Sequence, residues 1–194
     1  MDFSALKTYI LERLTNELPG NLFYHTVDHT LDVLDAVKHI SSSENITKTE
    51  TMLLKTAAVM HDFGFIIQYT CNEIVACKFA DEILPSFNYS GKDIKIINAM
   101  IMATKIPQTP QNNLEKIICD ADLDYLGRPD FFPISEKLRK ELAANGQKFS
   151  DKEWLQFEIN FIEKHNFFTE TAHKLRHSQK IQHLSDLKNQ LNTL

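Results

Sequence analysis

Apolar residues recur along this chain at three- and four-residue intervals almost from end to end, while the two-residue alternation of strands bounded by turn signals is hard to find. The pattern predicts an all-α protein. A first helix is expected over about Asp2 to Leu18, stopped by Pro19-Gly20, and a second over about Thr26 to Ile40, ending in Ser41-Ser42-Ser43. Thr47 and Glu50 have the spacing of a capping box and open a third helix that reaches His61-Asp62. A fourth runs from about Asn72 to Leu84 and is ended by Pro85. Ser90 with Asp93 opens a fifth, to about Thr104, before a loop rich in Pro, Gln and Asn. A sixth is expected over about Asn113 to Leu126, stopping at Gly127-Arg128-Pro129, and a seventh near Ile134 to Ala144. Ser150 and Glu153 cap an eighth towards His165, and Thr169 starts the last. There is no internal repeat or low-complexity stretch.

Three of these helices extend an apolar stripe into a residue type that binds metals. On the second, the stripe Val33, Val37, Ile40 reaches His29 four residues before Val33, whereas Asp28, Asp32 and Asp35 fall on a polar face. On the third, Leu54, Ala57 and Ala58 lead to the adjacent pair His61-Asp62. On the sixth, Ile118 and Tyr125 flank Asp122, while Asp120 and Asp124 share a face with Lys116 and are read as lying outside any first layer of ligands. Each residue alone is equally at home as a hydrogen-bonded core residue. Together they are harder to bury without a cation, because an unpaired buried charge is costly. Two imidazoles and two carboxylates form a mixed nitrogen and oxygen set suited to one divalent ion among Mn, Fe, Co, Ni, Zn and Mg.

Composition narrows the classes. The chain has 194 residues, the length of a single domain, and 43% of them are hydrophobic, enough for a sizeable core. The net charge of −5 argues against wrapping nucleic acid and against a polybasic membrane surface, but leaves room for a small phosphorylated substrate. Cys71, Cys77 and Cys119 form no C-x-x-C pair, so neither a disulfide framework nor a cysteine zinc site is expected. The apolar runs are too short to span a bilayer, and the amino terminus carries no secretory pattern. The expectation is a soluble, reduced, cytoplasmic protein.

The words His29-Thr30-Leu31-Asp32-Val33, Ala57-Ala58-Val59-Met60-His61-Asp62 and Ala121-Asp122-Leu123 resemble, in order and spacing, the H…HD…D signature of the HD-domain superfamily of metal-dependent phosphohydrolases. Ala103-Thr104-Lys105, Asp120 to Gly127 and Leu138-Arg139-Lys140-Glu141 look like a bacterial branch of predicted HD phosphohydrolases, so that residues 20–190 are covered. The resemblance implies an HD-type helical bundle over 1–194, with a metal-site core over about 20–130 and a C-terminal helical extension over about 131–194. It implies His29, His61, Asp62 and Asp122 as ligands, the choice of Asp122 agreeing with its place on the helix. Tyr24-His25 with His29 also looks like the opening of cyclic-nucleotide phosphodiesterases, where the first histidine protonates the leaving oxygen. That makes His25 a candidate general acid, provided the helix begins by Tyr24 and puts both histidines on one face. Its competing role is a helix cap or a hydrogen bond to a ligand.

The sequence departs from binuclear relatives in one place. Met102 to Pro107 contains no histidine where those enzymes have another ligand, which argues for a single tightly held ion. The expected reaction is hydrolysis of a phosphate ester, of a nucleotide or other small phosphorylated metabolite, with Asp62 or Asp122 orienting water. The rivals are a phosphodiesterase of a cyclic or linear nucleotide second messenger, a non-catalytic nucleotide- or metal-sensing module, and a metal-free helical interaction domain. Phosphate charge calls for a nearby cation: Lys105 is the first candidate and Arg128 the next, both equally readable as surface cations. Glu73 matches an acidic residue that assists water in some relatives, and equally suits the first turn of a helix. His39, His165, His173, His177 and His183 are read as solvated. Phe131-Phe132, Trp154, Phe157, Phe161 and Phe167-Phe168 are expected in the core or over the site. Leu184, Leu187, Leu191 and Leu194 would pack the last helix on the domain or on a second copy in a homodimer.

Overall fold

A computed structural model describes all 194 residues as nine α-helices without a strand. They are α1 (Phe3–Glu17), α2 (Val27–Ser43), α3 (Lys48–Met60), α4 (Asn72–Ile83), α5 (Gly91–Thr104), α6 (Asn113–Asp122), α7 (Phe131–Ala144), α8 (Asp151–Lys164) and α9 (Glu170–Thr193). Short 3-10 turns follow α3, α4 and α6, at Phe63–Ile66, Leu84–Phe87 and Asp124–Gly127. No helix is long and apolar enough to cross a membrane.

Local signals set most helix starts. Capping boxes are formed by Thr47 with Glu50, Ser90 with Asp93 and Ser150 with Glu153, each satisfying donors that a helix start leaves over. Thr169 accepts from the Ala172 N–H at the start of α9. The second helix runs three residues past its expected end, because Ser41 and Ser42 turn their hydroxyls back onto the carbonyls of Lys38 and His39. The seventh begins three residues early, at Phe131. The largest difference is in the sixth. It stops at Asp122 rather than Leu126, and the chain tightens into the Asp124–Gly127 turn.

The chain divides into two compact units, one of Met1–Pro19 with His25–Asp122, the other of Gly20–Tyr24 with Leu123–Leu194. In the first unit α3 is the central helix, packed by α1, α2, α5 and α6. Its last turns, Ala57 to Met60, are sealed from solvent, and the stripe Val33, Val37 and Ile40 of α2 is buried as expected.

In the second unit α8 and the Asp124–Gly127 turn pack on α9 around Leu126, Phe131, Ile159, Ile162 and Leu187. A Cβ on Gly127 would lie 2.3 Å from the Arg176 carbonyl oxygen, so the turn needs glycine there. Glu141 of α7 is fully buried and accepts the backbone N–H groups of Phe23 and Tyr24 at 2.9 and 2.8 Å, tying the 20–24 segment to α7.

Several polar residues lie inside, among them His165 and His183, which the sequence reading takes as solvated. Asp124 is buried and receives Arg176 at 2.7 Å, and Asp120 is fully buried. His183 is also buried, its Nδ1 3.0 Å from the Leu126 carbonyl and its ring stacked on Phe131. His165 is partly buried and contacts the buried amine of Lys180. Burial and then the Lys180 charge push its pKa down to about 3. Burial pushes the Glu158 carboxyl up to about 7, against the lowering effect of the Ser135 hydroxyl that it accepts. Among the aromatics, Phe131, Trp154 and Phe167 are core, Phe132 and Phe161 are partly covered, and Phe157 and Phe168 are exposed. Leu184, Leu187 and Leu191 pack within the unit, whereas Leu194 is exposed.

Candidate metal centre

Three helices of the first unit converge on one point. His29 comes from the first turn of α2, His61 and Asp62 from the end of α3, and Asp122 is the last residue of α6. Nε2 of His29 lies 3.3 Å from Nε2 of His61, 3.4 Å from Asp62 Oδ2 and 3.3 Å from Asp122 Oδ1. His61 Nε2 lies 3.0 Å from Asp62 Oδ2 and 3.5 Å from Asp122 Oδ1. The donor atoms of His29, His61 and Asp122 all fall within 4.8 Å of one another, and this group could hold a metal ion.

Two details fit these residues to a cation. His61 Nδ1 donates to the Ala58 carbonyl at 2.9 Å, so the neutral ring turns a lone pair at Nε2 towards the cluster. Asp62 Oδ2 is buried and accepts no hydrogen bond, although it stands 3.0 Å from His61 Nε2. Its companion Oδ1 accepts from the Asn72 amide at 3.2 Å. Burial opposes charge on both histidines, but the carboxylates of Asp62 and Asp122 outweigh it and hold both pKa values above the ordinary histidine range. Burial likewise opposes charge on the two aspartates, and the facing imidazoles overcome it, His61 foremost for Asp62 and His29 for Asp122. A divalent ion would replace those protons and balance the same two carboxylates.

Asn72 is placed by the turn after the ligand pair. The Phe63–Ile66 turn packs on the start of α4, and a Cβ on Gly64 would lie 2.0 Å from the Asn72 carbonyl oxygen. Only glycine permits that approach. Cys71, just before α4, has φ 56, in the left-handed region, and Gln68 braces the loop by donating to the Thr70 carbonyl at 2.6 Å. Sequence reasoning singled out Glu73, one position away. The signal for Asn72 is its helical phase, since a buried amide in the first turn of a helix has to face something polar.

The remaining candidates are distributed differently. His25 is not on α2, which begins only at Val27 after the Thr26 cap, so it shares no helical face with His29. It nevertheless stands edge-on to His29 with ring centres 5.8 Å apart, stacks on Phe65 at 4.3 Å, and its charge helps to lower the Asp62 pKa. Glu73 is partly buried in the first turn of α4, without a hydrogen bond to the cluster. Lys105 is exposed at the end of α5 and makes neither a hydrogen bond nor an ion pair. Arg128 is held by Asp130 at 2.7 Å and by Asp124 at 3.6 Å. His173 and His177 stack with ring centres 4.2 Å apart and planes 16° from parallel, so their in-plane lone pairs do not converge on one ion.

No protein-family model matches the chain, and no curated protein matches it. In structure it is similar to a Lactobacillus plantarum protein whose crystal structure was solved as a structural-genomics target. The TM-score is 0.68 at 15% identity, over 100% of this chain and 98% of that one. At that identity the likeness carries the fold alone.

Proposed function

We propose that the chain is a metal-dependent phosphohydrolase of the HD type, acting on a phosphate ester of a nucleotide or another small phosphorylated metabolite. One observation carries the reading. Of four side chains with the order and spacing of the HD signature, the imidazoles of His29 and His61 lie 3.3 Å apart and each stands within 3.0 to 3.5 Å of both Asp62 and Asp122, beside a buried Asp62 oxygen that no hydrogen bond satisfies.

In this reading His29, His61, Asp62 and Asp122 hold one divalent ion. Such an ion supplies Lewis-acid polarisation of a phosphoryl oxygen and acidifies water. The protein's own groups do the rest. His25, off the ligand set but beside it, is positioned by its stack on Phe65 to give a proton to the departing oxygen. The side chains of His29 and His61 are themselves buried, so the dielectric around them is low and charge interactions within the cluster are strengthened.

The test is metal analysis of protein loaded with Mn²⁺ or Fe²⁺, joined to a phosphate-release screen over nucleotides and sugar phosphates. Stoichiometric metal and a released phosphate, both lost in His61→Ala and Asp62→Ala, are expected. Phosphate release that survives either substitution would overturn the assignment. Metal retention without turnover on monoesters or diesters would leave a metal-binding module.

A further inference from the structure

We propose that Asn72 is a positioning residue that decides which oxygen of Asp62 is offered to the ion. The inference rests on the metal-binding reading above. A carboxylate can present either oxygen, and free rotation would average the two. Here Asn72, itself buried, donates its amide to Oδ1 at 3.2 Å. That bond turns Oδ2 towards the histidines, 3.0 Å from His61 and 3.4 Å from His29, where it is buried and unbonded.

The position of Asn72 is itself over-determined. Gly64 leaves room for its backbone, and the left-handed Cys71 turns the chain into α4 at the required angle. A non-glycine residue adopts that conformation only at a cost, so it persists where the surroundings hold it. The choice of an amide is also electrostatic. Two carboxylates and two neutral imidazoles carry a charge that a divalent ion cancels. An acid at position 72 would add a third negative charge beside Asp62 and remove the donor. Asn72 fixes geometry without altering the balance, as groups behind the ligands of a metal site do.

The experiment titrates the full chain with Co²⁺ and follows both affinity and the visible absorption of the bound ion, which reports its coordination. Wild type, Asn72→Leu and Asn72→Asp are compared, with thermal unfolding in the presence of a chelator as a measure of the fold alone. Weaker Co²⁺ binding by about 10- to 100-fold in both variants, with an altered cobalt spectrum, is expected. Should Asn72→Leu fail to fold, the nearly isosteric Asn72→Asp decides alone. Variants that bind Co²⁺ with wild-type affinity and spectrum would overturn the role of Asn72 and leave the metal reading standing. A wild type that binds no Co²⁺ would remove both.

Discussion

Gly64 and the carbonyl of Asn72 approach so closely that a β-carbon at position 64 would sit 2.0 Å from the oxygen. Backbone is on both sides of that contact, so it cannot be relieved by a side-chain rotation. Gly64→Ala is therefore expected to push α4 away from the Phe63–Ile66 turn, costing about 2–4 kcal/mol of stability. Because Asn72 moves with it, Co²⁺ binding should weaken as well. Thermal unfolding and a Co²⁺ titration measure the two effects. An alanine variant with wild-type unfolding temperature would refute the contact.

Glu141 concerns stability alone. Its buried carboxylate accepts two backbone N–H groups, those of Phe23 and Tyr24, and Lys140 beside it lies 3.9 Å over the Phe23 ring. Glu141→Ala strands both donors in a dry environment, and a loss of about 2–4 kcal/mol is expected in urea unfolding. Glu141→Gln keeps an acceptor oxygen at the same reach, so its loss should be smaller and reflect only the missing charge. Equal losses in the two variants would mean that the hydrogen bonds are not what Glu141 contributes.

Burial shifts Glu158 and His165 in opposite directions, with a measurable consequence for pH. The Glu158 pKa rises from 4.5 to about 7, so its contribution is fully present below 4.5 and is lost as pH rises through about 7. The His165 pKa falls from 6.5 to about 3, so its contribution is present above 6.5 and is lost as pH falls through about 3. Between pH 4.5 and 6.5 the unfolded chain carries its proton on His165 and the folded chain carries it on Glu158. The two slopes cancel. Relative to wild type, Glu158→Gln should become more stable as pH rises across that window and His165→Gln less stable. Each slope approaches about 1.4 kcal/mol per pH unit, and the double variant should return to the wild-type slope. Urea unfolding at pH 5 and at pH 6.5 supplies the comparison. Parallel slopes in all four proteins would show that neither group is shifted.

What was legible in the sequence was local. The pairs Thr47 with Glu50, Ser90 with Asp93 and Ser150 with Glu153 satisfy donors within three residues, and all three start helices where the pattern places them. His29, His61, Asp62 and Asp122 could be nominated because each continues an apolar stripe on its own helix. What was hidden depended on distant partners. Asp124 looks solvated until Arg176, 52 residues away, reaches it, and His183 until the Leu126 carbonyl and Phe131 enclose it. The end of α6 at Asp122 follows from the packing of the next turn against α9, which no window around Leu126 contains. Gly64 is plain in the sequence, but the backbone that makes it necessary arrives eight residues later.

The three thiols are unequal in exposure and in acidity. Burial, with the nearby acids, pushes the Cys119 thiol far up, and its Sγ donates to the Ala103 carbonyl. Burial also raises Cys77 to about 12. Cys71 alone is exposed, and it immediately precedes Asn72. A maleimide dye at neutral pH should therefore label one position, identified by peptide mass mapping, while the other two stay unmodified. A fluorophore fixed there, on a residue in the left-handed region at the entrance to α4, would test the ion binding proposed at Asp62 without any engineered cysteine.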